Sequence, residues 1–301
     1  ALLLVAGFLK LEFSYSGHLA LYEAPKGAPG RTARVHEAAT FVSFHEYELA
    51  LLRDLGGQLE ERVVPEAALG GAKKGRLALA SEGLPFRIEL HDWLDNCRPT
   101  LKGPMVPAAT PVLEGVFLRE LPLAKEREAN TAGCYVRVVT DDGQSFESIL
   151  YGAEMRPDYG DRLPFTFRAG GQRWGLDLRR VVYDLPFAVR LDEFRKTDHP
   201  GTMMARDFRS FVTVREDGVD REQQIYMNNP LRKDGFVLYQ TNWGPQQGGG
   251  PPWYSVFEVS NNPSDVWPAI ACFVIAIGLC WHFIAKLRRF VNSSTRESLI
   301  S

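Results

Sequence analysis

The sequence predicts a mainly β protein: an extracytoplasmic, sandwich-like β domain with internal duplication, followed by one C-terminal transmembrane helix. Three observations carry this. A Leu-Pro-Phe phrase twice opens a long strand-like run. Asp-Gly pairs at 142–143, 217–218 and 234–235 punctuate three hairpins. One apolar run near the C-terminus approaches membrane length.

The 301 residues, 45% of them hydrophobic, suffice to bury a sizeable core in one large or two small domains. A net charge of −2 gives no general pull towards nucleic acid, and none is expected as a partner. Residues 1–9 are wholly apolar but too short to span a membrane, with no initiator Met and no basic flank. They read as the end of a truncated transmembrane helix, with a processed signal peptide as the alternative. The extracytoplasmic domain is then expected over residues 10–266.

From Lys10 to Leu21 a juxtamembrane strand is expected, and from Pro25 to Arg34 a Pro/Gly-rich basic loop. His36-Glu37 and His45-Glu46 are reminiscent of metal motifs, but neither is HExxH, and ordinary core or surface histidines are expected. Thr40 to Leu52 fits either strand or helix.

The repeat is the most informative internal feature. Leu84-Pro85-Phe86-Arg87-Ile88-Glu89-Leu90-His91-Asp92-Trp93 aligns with Leu185-Pro186-Phe187-Ala188-Val189-Arg190-Leu191-Asp192-Glu193-Phe194. Phe86, Ile88 and Leu90 share one strand face, as do Phe187, Val189 and Leu191. An aromatic stands three residues beyond the last leucine in both copies. A shorter echo, Leu163-Pro164-Phe165, opens a further strand. Each long copy is followed by an Asp-Gly hairpin, Tyr135 to Tyr151 and Phe211 to Met227. Two related β modules follow, or a coincidence of generic strand grammar. Pro99 to Asn130 reads as an insertion or surface loop, its Lys125–Glu128 end a solvated face.

Between Ile225 and Gln240, two strand-like runs flank Asn228-Asn229-Pro230-Leu231 and the Asp234-Gly235 turn. Gly244 to Pro252 is a Gly/Pro/Gln loop, and Trp253 to Val259 alternates as a last strand. The run Pro268 to Ala285 reaches roughly 27 Å as a helix, against a hydrocarbon core of about 30 Å. Lys286, Arg288 and Arg289 follow it, while Asp265 precedes it, so the C-terminus is expected in the cytoplasm. The transmembrane helix is placed at 267–289 and a cytoplasmic tail at 290–301. The expected location is the cytoplasmic (inner) membrane, with the main domain on the periplasmic side.

Of four cysteines, Cys97 and Cys134 lie in the external region, where pairing is permitted but not required. Cys272 and Cys280 read as small apolar residues of the membrane run. CxxC and CxxCH are both absent from the sequence, so neither a thioredoxin-like motif nor c-type haem attachment is encoded.

Several pieces together resemble the ResB-like family of System II cytochrome c biogenesis. They are Leu185-Pro186-Phe187, His199-Pro200-Gly201-Thr202, Phe208-Arg209-Ser210 and Ile225 to Leu231. Gly235, Tyr239-Gln240, Val259, Asn262-Pro263 and His282-Phe283 complete the set. The resemblance covers most of Leu185 to Phe290 and, more loosely, His45 to Trp93. It implies a membrane protein that works with a ResC-type partner to deliver haem for attachment to apocytochrome c. Haem would then be a transient cofactor, and the lipid bilayer, a ResC-type protein and apocytochrome c the partners. The chain itself would be a scaffold or chaperone rather than an enzyme, at most part of a two-component haem lyase. The family's N-terminal membrane helices have no counterpart beyond residues 1–9.

His282 is the ionisable residue of the membrane run and the candidate haem ligand, with anchoring of the helix end as the alternative. Asn228, Asn229, Pro230, Leu231, Gly235, Tyr239 and Gln240 are expected to build the hairpin structurally, or to present a partner-binding surface. The competing function is an accessory structural subunit of a membrane redox or photosynthetic complex that reuses the same domain. A ResC-type gene alongside would favour biogenesis.

Overall fold

The structure, a computed structural model, describes residues 1–23, 35–73, 75–79, 83–104, 106–107, 110–153, 164–202, 204–244 and 253–298. The expected loops at 25–34 and 245–252, Leu163 and the last residues of the tail lie outside the described residues.

Helix α1 (Leu2–Phe13) leads directly into β1 (Tyr15–Tyr22). The apolar N-terminal stretch is therefore helical through Phe13, and the expected juxtamembrane strand begins only at Tyr15. Then come β2 (Glu37–Asp54), β3 (Leu59–Pro65), α2 (Glu66–Lys73), β4 (Arg76–Leu79) and β5 (Phe86–Leu94). The expected insertion contains a hairpin, β6 (Cys97–Leu101) with β7 (Val116–Glu120), and a short 3-10 turn at Arg127–Ala129. Strands β8 (Gly133–Thr140), β9 (Ser145–Tyr151), β10 (Phe165–Ala169), β11 (Gln172–Asp198), β12 (Ala205–Glu216) and β13 (Val219–Tyr226) follow. The chain ends with β14 (Leu231–Lys233), β15 (Phe236–Gly244), β16 (Tyr254–Asn261) and α3 (Trp267–Ser298).

A 10-stranded sheet runs β13-β12-β11-β2-β1-β16-β15-β14, with β10 on β11 and β3 on β2. A second sheet runs β4-β5-β8-β9. Two strands, β2 and β11, are long enough to serve both halves of the molecule. Their pairing is broken where Arg180 faces Tyr47 but Val182 faces Val42, so Ser43 to Glu46 bulge against Val181.

On one side of this bulge lies a central lobe. Leu49, Leu51, Leu176 and Leu178 from the long strands pack on Phe86, Ile88, Leu90, Val136 and Val138 of the second sheet. On the other side lies a terminal lobe. There Leu19, Leu21, Phe41, Phe187, Leu191, Val212, Ile225, Leu231, Leu238 and Phe257 form one core. Since strands along the whole path contribute to that one core, the sheet must curl around it. Its two path ends, β13 and β14, are consecutive in the chain.

The two copies of the phrase occupy equivalent places. The first is β5, beside β8 and then β9; the second lies in β11, beside β12 and then β13. In each, the three alternating residues face the core of their own lobe. In each, the register shifts just beyond the last leucine, after His91 and after Leu191.

Helix α1 packs against α3. Ala6 and Ala271 are buried, while Leu3, Leu4, Phe8 and Leu11 stay exposed. Trp267–Phe290 is long and apolar enough to cross a membrane, with 6% of its most apolar window buried, and the helix continues to Ser298. Because Tyr15 pairs with Asn261, both helices meet the β domain at one point.

Candidate functional site

The hairpin singled out in the sequence closes the terminal lobe. Asn228 takes a left-handed φ of 60°, tolerable for asparagine. This lets Tyr226 and Asn229 exchange backbone hydrogen bonds of 2.9 and 3.3 Å. The Asn229 amide also donates to the Gln224 carbonyl at 3.3 Å. Pro230 then sets the chain into β14, and Leu231 is buried in the core. Asp234 and Gly235, at φ 49° and 82°, form the tight turn between β14 and β15. Arg232 reaches Asp265, just ahead of α3, at 2.6 Å, and Lys233 reaches Glu216 at 2.6 Å. The Glu216 hydrogen bond, then that to Asp234, raises the Lys233 ammonium above its usual range.

The expected Tyr239-Gln240 pair is split. Tyr239 is 39% exposed, whereas Gln240 pairs with Phe257 and follows its face inward. Both polar atoms of the Gln240 amide are buried without a hydrogen-bond partner among the described residues.

Strands β1 and β16 run away from the helices, so Tyr22 and Tyr254 mark the far end of the terminal lobe. An aromatic group assembles there. Phe194 stacks on Trp243 at 5.6 Å between centroids, and Trp253 lies 6.1 Å and 5.8 Å from these two. The Lys196 ammonium sits 5.0 Å over Trp243 and 2.8 Å from Asp198. Glu23 accepts the backbone N–H of Phe194 at 2.7 Å and of Trp253 at 3.3 Å. The buried Ser210 and Ser255 hydroxyls lie 2.7 Å apart. The phrase alignment marked Phe194, but nothing local in the sequence joined it to Trp243 and Trp253.

A polar seam lies between the lobes. Arg180, 4% exposed, donates to the carbonyls of Phe44, Glu128 (3.1 Å) and Asn130 (2.8 Å), and lies 4.5 Å over the Tyr47 ring. The Tyr47 hydroxyl donates to the Asn130 carbonyl at 3.1 Å and accepts from the Ala132 N–H at 3.1 Å. Within the bulge, Glu46 accepts from the hydroxyls of Tyr183 and Ser43. Burial, then the hydrogen bond to Glu46, pushes the Tyr183 phenol up. Next to it, burial raises Glu48 against the opposing hydrogen bond from Arg179, which also reaches Glu61. His45 belongs to the bulge and His36 approaches the Tyr22 carbonyl at 3.3 Å, so the two His-Glu pairs are parts of the frame.

Cys97 and Cys134 are free thiols on opposite faces of the second sheet. Cys97 packs with Tyr135 and Leu118, beside Gly133, while Cys134 points into the central core. Adjacent residues of one strand alternate faces, so the neighbours Gly133 and Tyr135 put Cys97 behind Cys134. Burial pushes both thiols up to about 12. His282 is exposed on α3, its ring 6.1 Å from that of Phe283; it comes near neither the hairpin nor the aromatic group.

Comparison with known proteins places a match on this framework. The model of the ResB-like family matches residues 148–251, from β9 through the long strand β11 to the end of β15. Protein NrfI of Wolinella succinogenes is 24% identical over 108 residues. Those residues are 35% of this chain and 11% of that protein, so the chain spans about a tenth of the relative it matches. Leu185 to Gln240 of the pieces quoted from the sequence fall inside the family match; Val259, Asn262-Pro263 and His282-Phe283 fall outside it. The chain thus carries a ResB-like region, set in a mainly β fold and followed by an apolar helix of membrane-spanning length.

Proposed function

We propose that the protein is a membrane component of cytochrome c biogenesis, a scaffold that helps deliver haem to apocytochrome c alongside a ResC-type partner. The observation that carries this reading is the ResB-like match, which spans the strand shared by both lobes and the closing hairpin. The β domain stands outside the cytoplasm in this reading. The Lys286, Arg288 and Arg289 cluster at the end of the apolar run supports that orientation. Haem is cargo here, and His282, on a face open to a partner helix or lipid, is a ligand candidate from the membrane side.

The test is deletion of the gene in its host, followed by haem staining of covalently attached c-type cytochromes. Loss of all of them, restored by the intact gene, is the expected result. Normal c-type cytochromes with one membrane complex missing would instead establish the accessory-subunit reading.

A further inference from the structure

The terminal lobe changes character along its length. Near the helices its interior is aliphatic and aromatic, but at the far end inward-facing polar groups join the rings. Phe194 and Lys196 come from β11, Ser210 from β12, Gln240 and Trp243 from β15, and Ser255 from β16. The Gln240 amide is the anomaly. A buried amide with neither its N–H nor its oxygen satisfied is costly, and native interiors rarely keep one without a water or ligand to meet it. It lies on the strand of Trp243, across the Thr241 bulge, and bulges serve to re-aim side chains near binding sites.

We propose that this end of the lobe binds a flat conjugated ring system bearing carboxylates. The half-buried Trp243 and Trp253 rings supply stacking faces, and Phe194 backs them. Lys196, held over Trp243, supplies positive charge for a carboxylate, as an ammonium carries three donors. Gln240 supplies a donor and an acceptor for a polar edge. An acyl chain would leave the amide unmet and would bring no carboxylate to the ammonium, which already lies 2.8 Å from Asp198. An extended peptide paired to an outer strand edge would not reach the amide inside. The choice of a porphyrin as probe rests on the haem-delivery reading above; the site itself rests on its geometry.

The experiment titrates the purified full chain in detergent with iron-free protoporphyrin IX and with its dimethyl ester, following absorbance. The acid is expected to bind and the ester to bind more weakly. Lys196→Met and Gln240→Leu should each weaken binding of the acid by about tenfold, the usual worth of a lost hydrogen bond to a charged or buried group. Lys196→Arg should retain it, and Arg119→Met, an exposed charge on β7, should leave it unchanged. Equal binding by every variant would place the porphyrin in the detergent or on the helices and overturn the site. So would no binding at all. A Gln240→Leu chain that is more stable yet binds normally would show that the amide met only water. The readout is separable from haem delivery. If Lys196→Met and Gln240→Leu lose the porphyrin while c-type cytochromes still mature, the site stands and the delivery reading fails.

Discussion

The two lobes use the same phrase, the same hairpin order and the same two long strands, yet enclose their cores differently. In the central lobe a separate sheet, β4-β5-β8-β9, covers one face of β2, β3, β10 and β11, with α2 alongside. In the terminal lobe a single sheet curls until its ends meet at the Tyr226–Asn229 turn. The difference lies in what precedes the phrase. In the first copy it starts a strand of its own, β5. In the second it continues β11, so the module stays joined to the sheet of its neighbour. A duplicated element therefore yields a sandwich or a curled sheet according to whether its first strand is free or inherited.

The comparison can be sharpened first through the thiols. Because burial pushes Cys97 and Cys134 up to about 12, thiolate is scarce at pH 8. Alkylation by iodoacetamide should be about a thousandfold slower than for an ordinary cysteine, until the central lobe opens. Rapid labelling of Cys97 or Cys134 themselves, told apart from the exposed Cys272 and Cys280 by peptide mass, would show that this lobe is loose. Next, Phe86→Ala removes a ring packed edge-on against Phe167 and Trp174, at 4.9 and 5.0 Å. A loss of about 3–5 kcal/mol is expected. Hydrogen exchange should show it in both lobes, since they share β2 and β11; a loss confined to β5, β8 and β9 would make the lobes independent domains.

Arg180→Met tests the seam. It strips a charged donor from three carbonyls while leaving the volume similar, and about 3 kcal/mol should be lost in denaturant unfolding. A neutral result would mean that the seam is not what joins the lobes. The smallest effect is expected at the helix side of the terminal lobe. Arg232 and Asp265 are each about half exposed, so Asp265→Asn should change stability by about 1 kcal/mol or less.

Much of this was legible in residue patterns. The alternation Phe86, Ile88, Leu90 and its counterpart Phe187, Val189, Leu191 named two core faces correctly, because side-chain period and burial are local properties of a strand. Asp-Gly turns are equally local. The helix α2 was not foreseen, since Glu66 to Lys73 has two glycines and depends on Leu69 and Ala72 being buried against the central lobe. The β6–β7 hairpin hid in a Pro-rich stretch for a similar reason. Of the site, the sequence offered the closing turn but not Arg180 on Tyr47 or Trp243 on Phe194. Those contacts join strands far apart in the chain, and no spacing rule reaches that distance. The Cys97–Cys134 question also turned on strand faces, which cysteine counting does not contain.

The pairing of β1 with β16 has a consequence for the order of events during synthesis. Tyr15 cannot find Asn261 until every residue between them exists, whereas the central lobe needs only residues from Tyr47 to Arg180. Contacts separated by long loops form late, because the loop must be closed before they repay it. The central lobe can therefore be complete while the residues beyond Arg180 are still emerging, with β2 and the start of β11 already in register. The terminal lobe then closes last, at the moment α3 arrives, so folding of the domain and arrival of the apolar helix that follows it become a single step.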